Sequence, residues 1–468
     1  MRISSRDKQN QHLQIILKAL IEFIENHASE YDAIAKDIWE HPELSHEEQR
    51  SSSIYRDRLS SHGFDVREFP EMPYSFSAEW GKAGPLIAFM GEYDALPGMS
   101  QACIPDKKPI IQGGPGHACG HNLLGMGALA AAESLAFLLD REDSEGRVRF
   151  YGCPAEESLG RIPLVKAGRF DDVQIAMTWH PADVNTPHRY LTSANTSLVV
   201  SFEGRASHAA MSPYSGRSAL DAVQLFNLSI EFLREHVPPG TLFHYVITNG
   251  GLRPNIVPEY AAVHLYVRAP TVQNLAKVIT RIRKAIHGVE LMTETRSKID
   301  IKAGKCDFIP NREIQDTIYE AMCALPLPIP TTEELSFAKA LQKTVKLEDR
   351  RSTLLTIGAP VELLRRQLHL DIGDFGEGKR IGGSLDTGDV SYVVPTGQMN
   401  AATWPIGIGT HTWQSCAASG GTWAMKAARY AGMSLALASY LLIQEPERLA
   451  QAAREHTRVP KYRSAMEL

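Results

Sequence analysis

Leu86-Ile87-Ala88-Phe89-Met90-Gly91-Glu92-Tyr93-Asp94-Ala95-Leu96-Pro97-Gly98 decides the reading of this chain. Its first five residues are a short unbroken apolar run. That is the pattern of a strand covered on both faces inside a parallel sheet. The polar residues that follow then fall at the strand's carboxyl end, the edge where open α/β sheets bind ligands. Asp94 has two readings there: a carboxylate that orients a metal-binding histidine, or a turn residue ahead of Pro97.

The same arrangement recurs downstream. A proline- and glycine-rich surface loop, residues 101–114, leads to Gly116-His117-Ala118-Cys119-Gly120-His121-Asn122. Cys119 and His121 on one bend suit a zinc- or manganese-class ion. The pair alone also fits a buried thiol beside a helix-capping histidine. Residues 123–139, rich in Ala and Leu, read as a buried helix. A strand over 147–151 runs into Cys153-Pro154-Ala155-Glu156-Glu157, two carboxylates that can take separate roles or open the next helix, where its dipole favours acids. A strand over 174–178 ends in Trp179-His180-Pro181. Three strand ends carrying metal-competent side chains in one region point to a site. A glycine-rich turn at Gly407-Ile408-Gly409-Thr410-His411 offers a further ligand.

Upstream, apolar residues at helical spacing predict helices over 13–26 and on to Trp39. The polar segment 45–60 reads as a third helix with a solvated charged face. Downstream, strand and helix patterns over 196–302 follow the order β-α-β-β-α-β of a ferredoxin-like unit. That unit reads as an insertion, dividing the chain into a catalytic domain (1–193 and 305–468) and a lid or dimerisation domain (194–304). Within the insertion, loops around Ser207-His208-Ala209-Ala210 and Pro254-Asn255-Ile256-Val257-Pro258 carry polar groups with little to bury, so they are functional candidates. Helices are expected over 312–324, 331–344 and 424–442, with loops over the site within 347–383.

Composition bounds the function. The 468 residues carry a net charge of −5, without the basic footprint of a nucleic-acid partner. The start, Met1 to Lys8, is polar, and no apolar run reaches bilayer-spanning length. Six scattered cysteines without framework spacing predict reduced thiols and a cytoplasmic home.

Taken together, the segments Glu-Tyr-Asp-Ala-Leu-Pro (92–97), His-Ala-Cys-Gly-His-Asn (117–122), Pro-Ala-Glu-Glu (154–157), Trp-His-Pro (179–181), Ser-His-Ala-Ala (207–210), Pro-Asn-Ile-Val-Pro (254–258) and Gly-Thr-His-Thr-Trp (409–413) resemble the peptidase family M20. The likeness is to the amidohydrolase branch that uses Cys-Gly-His as a metal motif. It implies an α/β/α dimetal-hydrolase domain with the inserted ferredoxin-like domain as lid and dimer contact. It further implies two divalent ions, zinc or manganese, held by Cys119, His121, Glu157, His180 and His411, with Cys119 as the bridge. Glu156 would be the general base. His208 would serve the partner subunit's oxyanion, and Asn255 would touch substrate. The reaction implied is amide hydrolysis of a small molecule, an acyl- or aroyl-amino acid or a dipeptide, with p-aminobenzoyl-glutamate first among them. Deamination of an aromatic amine at the same site, or a silent accessory subunit, are the alternatives. A homodimer is expected, or a hetero-oligomer with a related subunit, without nucleic acid or membrane. Arg253 or Arg268 could hold a substrate carboxylate, with an ion pair as the competing reading. The chain departs from the family at Glu92, where much of it has His, and at Asn122, where Asp is common.

Overall fold

A computed structural model describes residues 5–468, with side chains from residue 11. Residues 1–4 of the polar start lie outside the described residues. Contacts group the chain into two compact units: 1–190, 309–379 and 390–460 in the first, 191–308, 380–389 and 461–468 in the second.

The first unit is built on a seven-stranded sheet. In chain order its strands are β1 (Asp65–Glu68), β2 (Phe76–Trp80), β3 (Leu86–Glu92), β4 (Arg147–Cys153), β5 (Ile175–Ala182) and β6 (Thr186–Pro187); the second unit supplies β7 to β10, and β11 (Thr396–Ala402) returns to this sheet. The spatial order is β1-β2-β4-β3-β5-β11-β6. β4, β3, β5 and β11 run parallel, so their carboxyl ends share one edge. All seven residues of β3 are buried, as its apolar run requires.

Helices Ser5–Glu40, His121–Arg141, Arg312–Ala324 and Thr422–Gln444 share one core with Ile87, Phe89, Met177 and Met399 of the sheet. A fully buried side chain of this size contributes roughly 1.5–3 kcal/mol. The His121–Arg141 helix is long and apolar enough to cross a bilayer, but 94% of its most apolar window is buried among these neighbours. Its hydrophobicity is that of a central core helix.

The second unit has β7 (Ala194–Glu203), β8 (Leu242–Asn249), β9 (Tyr260–Ala269) and β10 (Arg296–Lys305) in the antiparallel order β10-β7-β9-β8. Helices Ala219–Leu233 and Val272–Thr293 pack on it, in the expected β-α-β-β-α-β sequence. β8 is an edge strand.

Several elements differ from the sequence reading. The first two helices are one, Ser5–Glu40, because nothing between Asn26 and Tyr31 breaks a helix. The 45–60 segment forms the helix Gln49–Ser61 with the expected solvated face, on which Arg50 and Asp57 are exposed, but Glu48 just before it is buried, as are Ser51, Ser52, Tyr55 and Leu59 on the opposite face. His180 lies inside β5 and not after it. The 347–383 region contains a helix, Leu347–Ile357. β11, with Gly397, Gln398 and Asn400 in its sequence, gave no strand pattern.

Candidate metal centre

The parallel sheet brings its site residues to one edge. Glu92 ends β3, the Pro154–Glu157 turn follows β4, and His180 is near the end of β5. The Cys119/His121 bend is fixed by Gly120, whose φ of 76° is left-handed, so that His121 opens the core helix. Gly125, one turn into that helix, approaches the end of β3 so closely that a Cβ there would lie 2.7 Å from the Glu92 carbonyl oxygen. His411 adopts a left-handed φ of 61°, and its N–H donates to the Ala118 carbonyl at 3.0 Å, tying its loop to the bend. Ser415 Oγ donates to the same carbonyl at 2.7 Å.

Five residues nominated from the sequence as ligands come together in two groups. Donor atoms of Cys119, His121 and His180 lie within 4.8 Å of one another, as do those of Cys119, Glu157 and His411. Cys119 Sγ is 3.5 Å from His180 Nε2, and His411 Nε2 is 3.1 Å from a Glu157 oxygen. Cys119 alone belongs to both groups. Glu156 falls in a third group with Glu92 and His121. Glu156 is buried and Glu157 largely so, which does not fit a pair of exposed acids opening a helix.

Asp94 is placed as an orienting carboxylate. Its Oδ1 lies 2.8 Å from His121 Nδ1, while Oδ2 accepts from Ser45 Oγ at 2.8 Å and the Glu157 N–H at 2.9 Å. Full burial would raise its pKa, but His121 and these donors outweigh that and hold it at about 2. With Nδ1 engaged, His121 turns Nε2 inward. That atom is buried, has no well-aligned hydrogen bond, and sits 3.2 Å from Glu92. Glu92 in turn pairs with the fully buried Arg161.

The electrostatics follow from this crowding. Burial alone would raise the Cys119 thiol, yet His121 and His180 hold it well below its usual range. Burial opposes charge on His121 and His180, but Cys119 draws both upward, helped at His121 by Asp94. Bonds to Cys119 and Glu157 raise His411 to about 10. Burial, with the nearby Cys119, pushes Glu157 up to about 7. Protons on these rings and a positive ion are alternative counter-charges, so ion binding would release protons. One sulfur, three imidazoles and a carboxylate, with an inward unbonded His121 Nε2, fit borderline divalent ions.

Asn122 points elsewhere. Its amide donates to the carbonyls of Ala35 and Ser419, each at 3.1 Å, a structural tie that a carboxylate could not make. His117 likewise contacts the Ile38 carbonyl at 3.0 Å.

His208 and Asn255 belong to the second unit and are exposed neighbours there. The Ala209 N–H donates to the Asn255 carbonyl at 3.1 Å. His208 Nδ1 accepts from the N–H groups of Ala210 and Met211, both at 3.2 Å, which leaves Nε2 as the donor. Arg268 donates to the Gly382 carbonyl and Ser384 Oγ and lies over the Tyr266 ring. Arg253 is exposed.

The sequence did not nominate Ser45, Glu48, Arg161 or Asp183. Asp183 Oδ2 accepts the Gly407 N–H at 2.8 Å and anchors the loop that carries His411. None of the four sits in a pattern that marks chemistry. A separate cavity of about 510 Å³ beside Phe337, Leu368 and Trp423 holds none of the nominated residues. Of its two lining carboxylates, Glu333 and Glu334, the second is already bonded to the Thr331 N–H, Thr422 and Lys426.

Comparison with known proteins places these features. Residues 192–290 match the peptidase dimerisation domain of the M20 family. Over 461 residues the chain is 36% identical to one of the subunits of the p-aminobenzoyl-glutamate hydrolase of Escherichia coli, covering 96% of each chain. It is 32% identical to the Xaa-Arg dipeptidase of Mus musculus, over 64% of this chain and 70% of that one. Its fold is shared with a Bacillus subtilis dinuclear metal-binding peptidase of the M20 family, with TM-score 0.59 and 16% identity over 90% of this chain and 99% of that one.

Proposed function

The chain belongs to the M20 family of amide-cleaving hydrolases, and from that premise we propose that it hydrolyses an acyl- or aroyl-amino acid or dipeptide, with p-aminobenzoyl-glutamate as the first substrate to try. The observation that carries this reading is the sharing of Cys119 between two donor groups, with Glu156 beside them. Cys119, His121 and His180 would hold one divalent ion, and Cys119, Glu157 and His411 the other. Such ions, when bound, polarise the amide carbonyl and acidify water.

The chain's own residues do the rest. A Glu156 carboxylate oxygen takes the proton of the attacking water and returns it to the departing amine nitrogen. Glu157, engaged through His411 and its ion, is not free to compete for that proton. Asp94 keeps the proton of His121 on Nδ1, so that Nε2 stays a ligand.

In this reading His208 Nε2–H, supplied by a second copy, donates to the developing oxyanion, and Asn255 contacts substrate. A donor of that kind lowers a barrier by ~2.7–4 kcal/mol. The second unit supports dimer formation. Leu228 and Phe232 on the Ala219–Leu233 helix and Ile247 on the edge strand β8 are 51%, 70% and 43% exposed, apolar side chains suited to burial against another copy. The Escherichia coli relative is named as a subunit, so a hetero-oligomer is the other assembly to test.

The test is a panel of N-acyl and N-aroyl amino acids with zinc- and manganese-loaded protein, wild type and Glu156→Ala. Wild type should release the free amino acid. Glu156→Ala should bind metal and lose roughly 10²–10⁴-fold in rate. Release of ammonia in place of an amino acid would make the enzyme a deaminase, and undiminished turnover by the variant would remove Glu156 as base.

A further inference from the structure

We propose that Glu48 is a positioning residue. Its buried carboxyl holds the Ala155 turn in a strained conformation that aims Glu156 and Glu157, and it does so as part of a clamp formed by residues 43–48. The inference rests on the reading of Glu156 and Glu157 as base and ligand.

Ala155 has a left-handed φ of 57°, a region that side chains with a Cβ rarely occupy. Such a residue is strained and persists only where its surroundings over-determine it. Here they do. The Ala155 carbonyl accepts from the N–H groups of Ser158 at 3.0 Å and Gly160 at 2.7 Å. Its own N–H, which the turn leaves without a local acceptor, donates to Glu48 Oε1 at 2.7 Å.

Glu48 is fully buried, and its other oxygen, Oε2, has no well-aligned hydrogen-bond partner among the described residues. A buried carboxyl so incompletely paired costs stability. The hydrogen bond through Oε1 fixes the N–H one residue before Glu156.

The rest of the segment braces the same turn. Ser45 Oγ donates to Asp94 Oδ2, the oxygen that also accepts the Glu157 N–H. His46, at a left-handed φ of 72°, brings Nε2 to 3.4 Å from Ser158 Oγ. The far end is anchored. The Glu43 carbonyl accepts the Ala95 N–H at 2.7 Å, and its carboxylate accepts the N–H groups of Arg50 and Ser51, each at 2.8 Å. Four residues of this segment, Glu43, Ser45, His46 and Glu48, thus hold the turns after β3 and β4 together.

The test compares metal-loaded full-length Glu48→Gln, Glu48→Asp and Glu48→Leu with wild type and Glu156→Ala. Gln keeps an acceptor at full reach, Asp retracts it by one methylene, and Leu removes it. Asp and Leu should lose about 10–100-fold in kcat and in affinity for the ion that Glu157 holds. KM should stay within about twofold, since no substrate contact is removed. Gln should recover most of the loss. Adding Ala155→Gly, which tolerates positive φ unaided, should partly rescue Glu48→Leu and Glu48→Asp. If Leu fails to fold, Asp carries the test. Wild-type kcat and ion affinity in Asp overturn the inference, as does a loss in Asp that neither Gln at position 48 nor Gly at 155 relieves. If Glu156→Ala is dead and metal-loaded while Glu48→Asp matches wild type, only this inference falls; an active Glu156→Ala instead removes the reading beneath it.

Discussion

Replacing Asp94 with Asn changes one atom and should weaken ion binding by an amount the structure sets. Asp94 accepts from three donors: His121 Nδ1, Ser45 Oγ and the Glu157 N–H. Held at about 2, it is a full carboxylate at any working pH. An Asn amide cannot satisfy all three. With its oxygen toward His121, the NH₂ faces the Glu157 N–H and loses that bond. With NH₂ toward His121, the ring must move its proton to Nε2, which then cannot ligate. Either way one charge-assisted bond of about 1.5–3 kcal/mol is lost. That agrees with the 10–100-fold, or roughly 1.4–2.8 kcal/mol, seen when a carboxylate behind a metal-binding histidine is removed. The assay is competition against a chromophoric chelator for zinc and for manganese, on wild type and Asp94→Asn, with unfolding curves to confirm the fold. A variant that folds and binds both ions as tightly as wild type would refute the assignment of His121 as a ligand steered by Asp94.

Cys119→Ala should lose more bound metal than His180→Ala or His411→Ala, because only Cys119 belongs to both donor groups; elemental analysis showing full occupancy would strike it from the ligand set. Mixing His208→Ala protein with Glu156→Ala protein should restore about a quarter of wild-type activity at statistical exchange in a two-fold dimer, and no recovery after verified exchange would count against a shared site. Burial, with Asp94 nearby, raises Glu48 from 4.5 to about 8. Its stabilising contribution is therefore complete below 4.5 and is lost as pH rises through about 8, at up to about 1.4 kcal/mol per unit between the two values. Urea unfolding at pH 5 to 8 should show wild type losing ground to Glu48→Gln along that slope, and a pH-independent difference would contradict it.

The site was legible where chemistry coincides with strand ends. β3 announces itself by five apolar residues in a row, and a parallel sheet then fixes where Glu92 and Asp94 must lie. β11 was illegible because its amide side chains bond to residues far away in the sequence. The His188 ring engages the Gln398 amide at 2.9 Å, and Asn400 bonds the Tyr190 hydroxyl, so a central strand carries amides where pattern reading expects Val or Ile. Glu48 was misread for the converse reason. In a run of Glu, Gln, Arg and Ser, nothing local distinguishes the one carboxyl that folds inward. The candidate ligands were read through family likeness, and the structure adds Asp183 beneath the His411 loop, Asn122 bonded to two carbonyls away from them, and a choice for Asp94 between its two readings.

The His121–Arg141 helix has a consequence for synthesis on the ribosome. Its first residue is a nominated ligand, and its apolar faces are covered by the Ser5–Glu40 helix and by Thr422–Gln444. The second cover emerges roughly 280 residues after the helix itself. At ~5–20 residues per second, that leaves a 21-residue apolar helix half-sheathed for tens of seconds. A nascent chain stalled before residue 422 therefore displays what a chaperone binds, and the ties of the Cys119 bend to Ser415 and Ser419 wait for those residues to emerge.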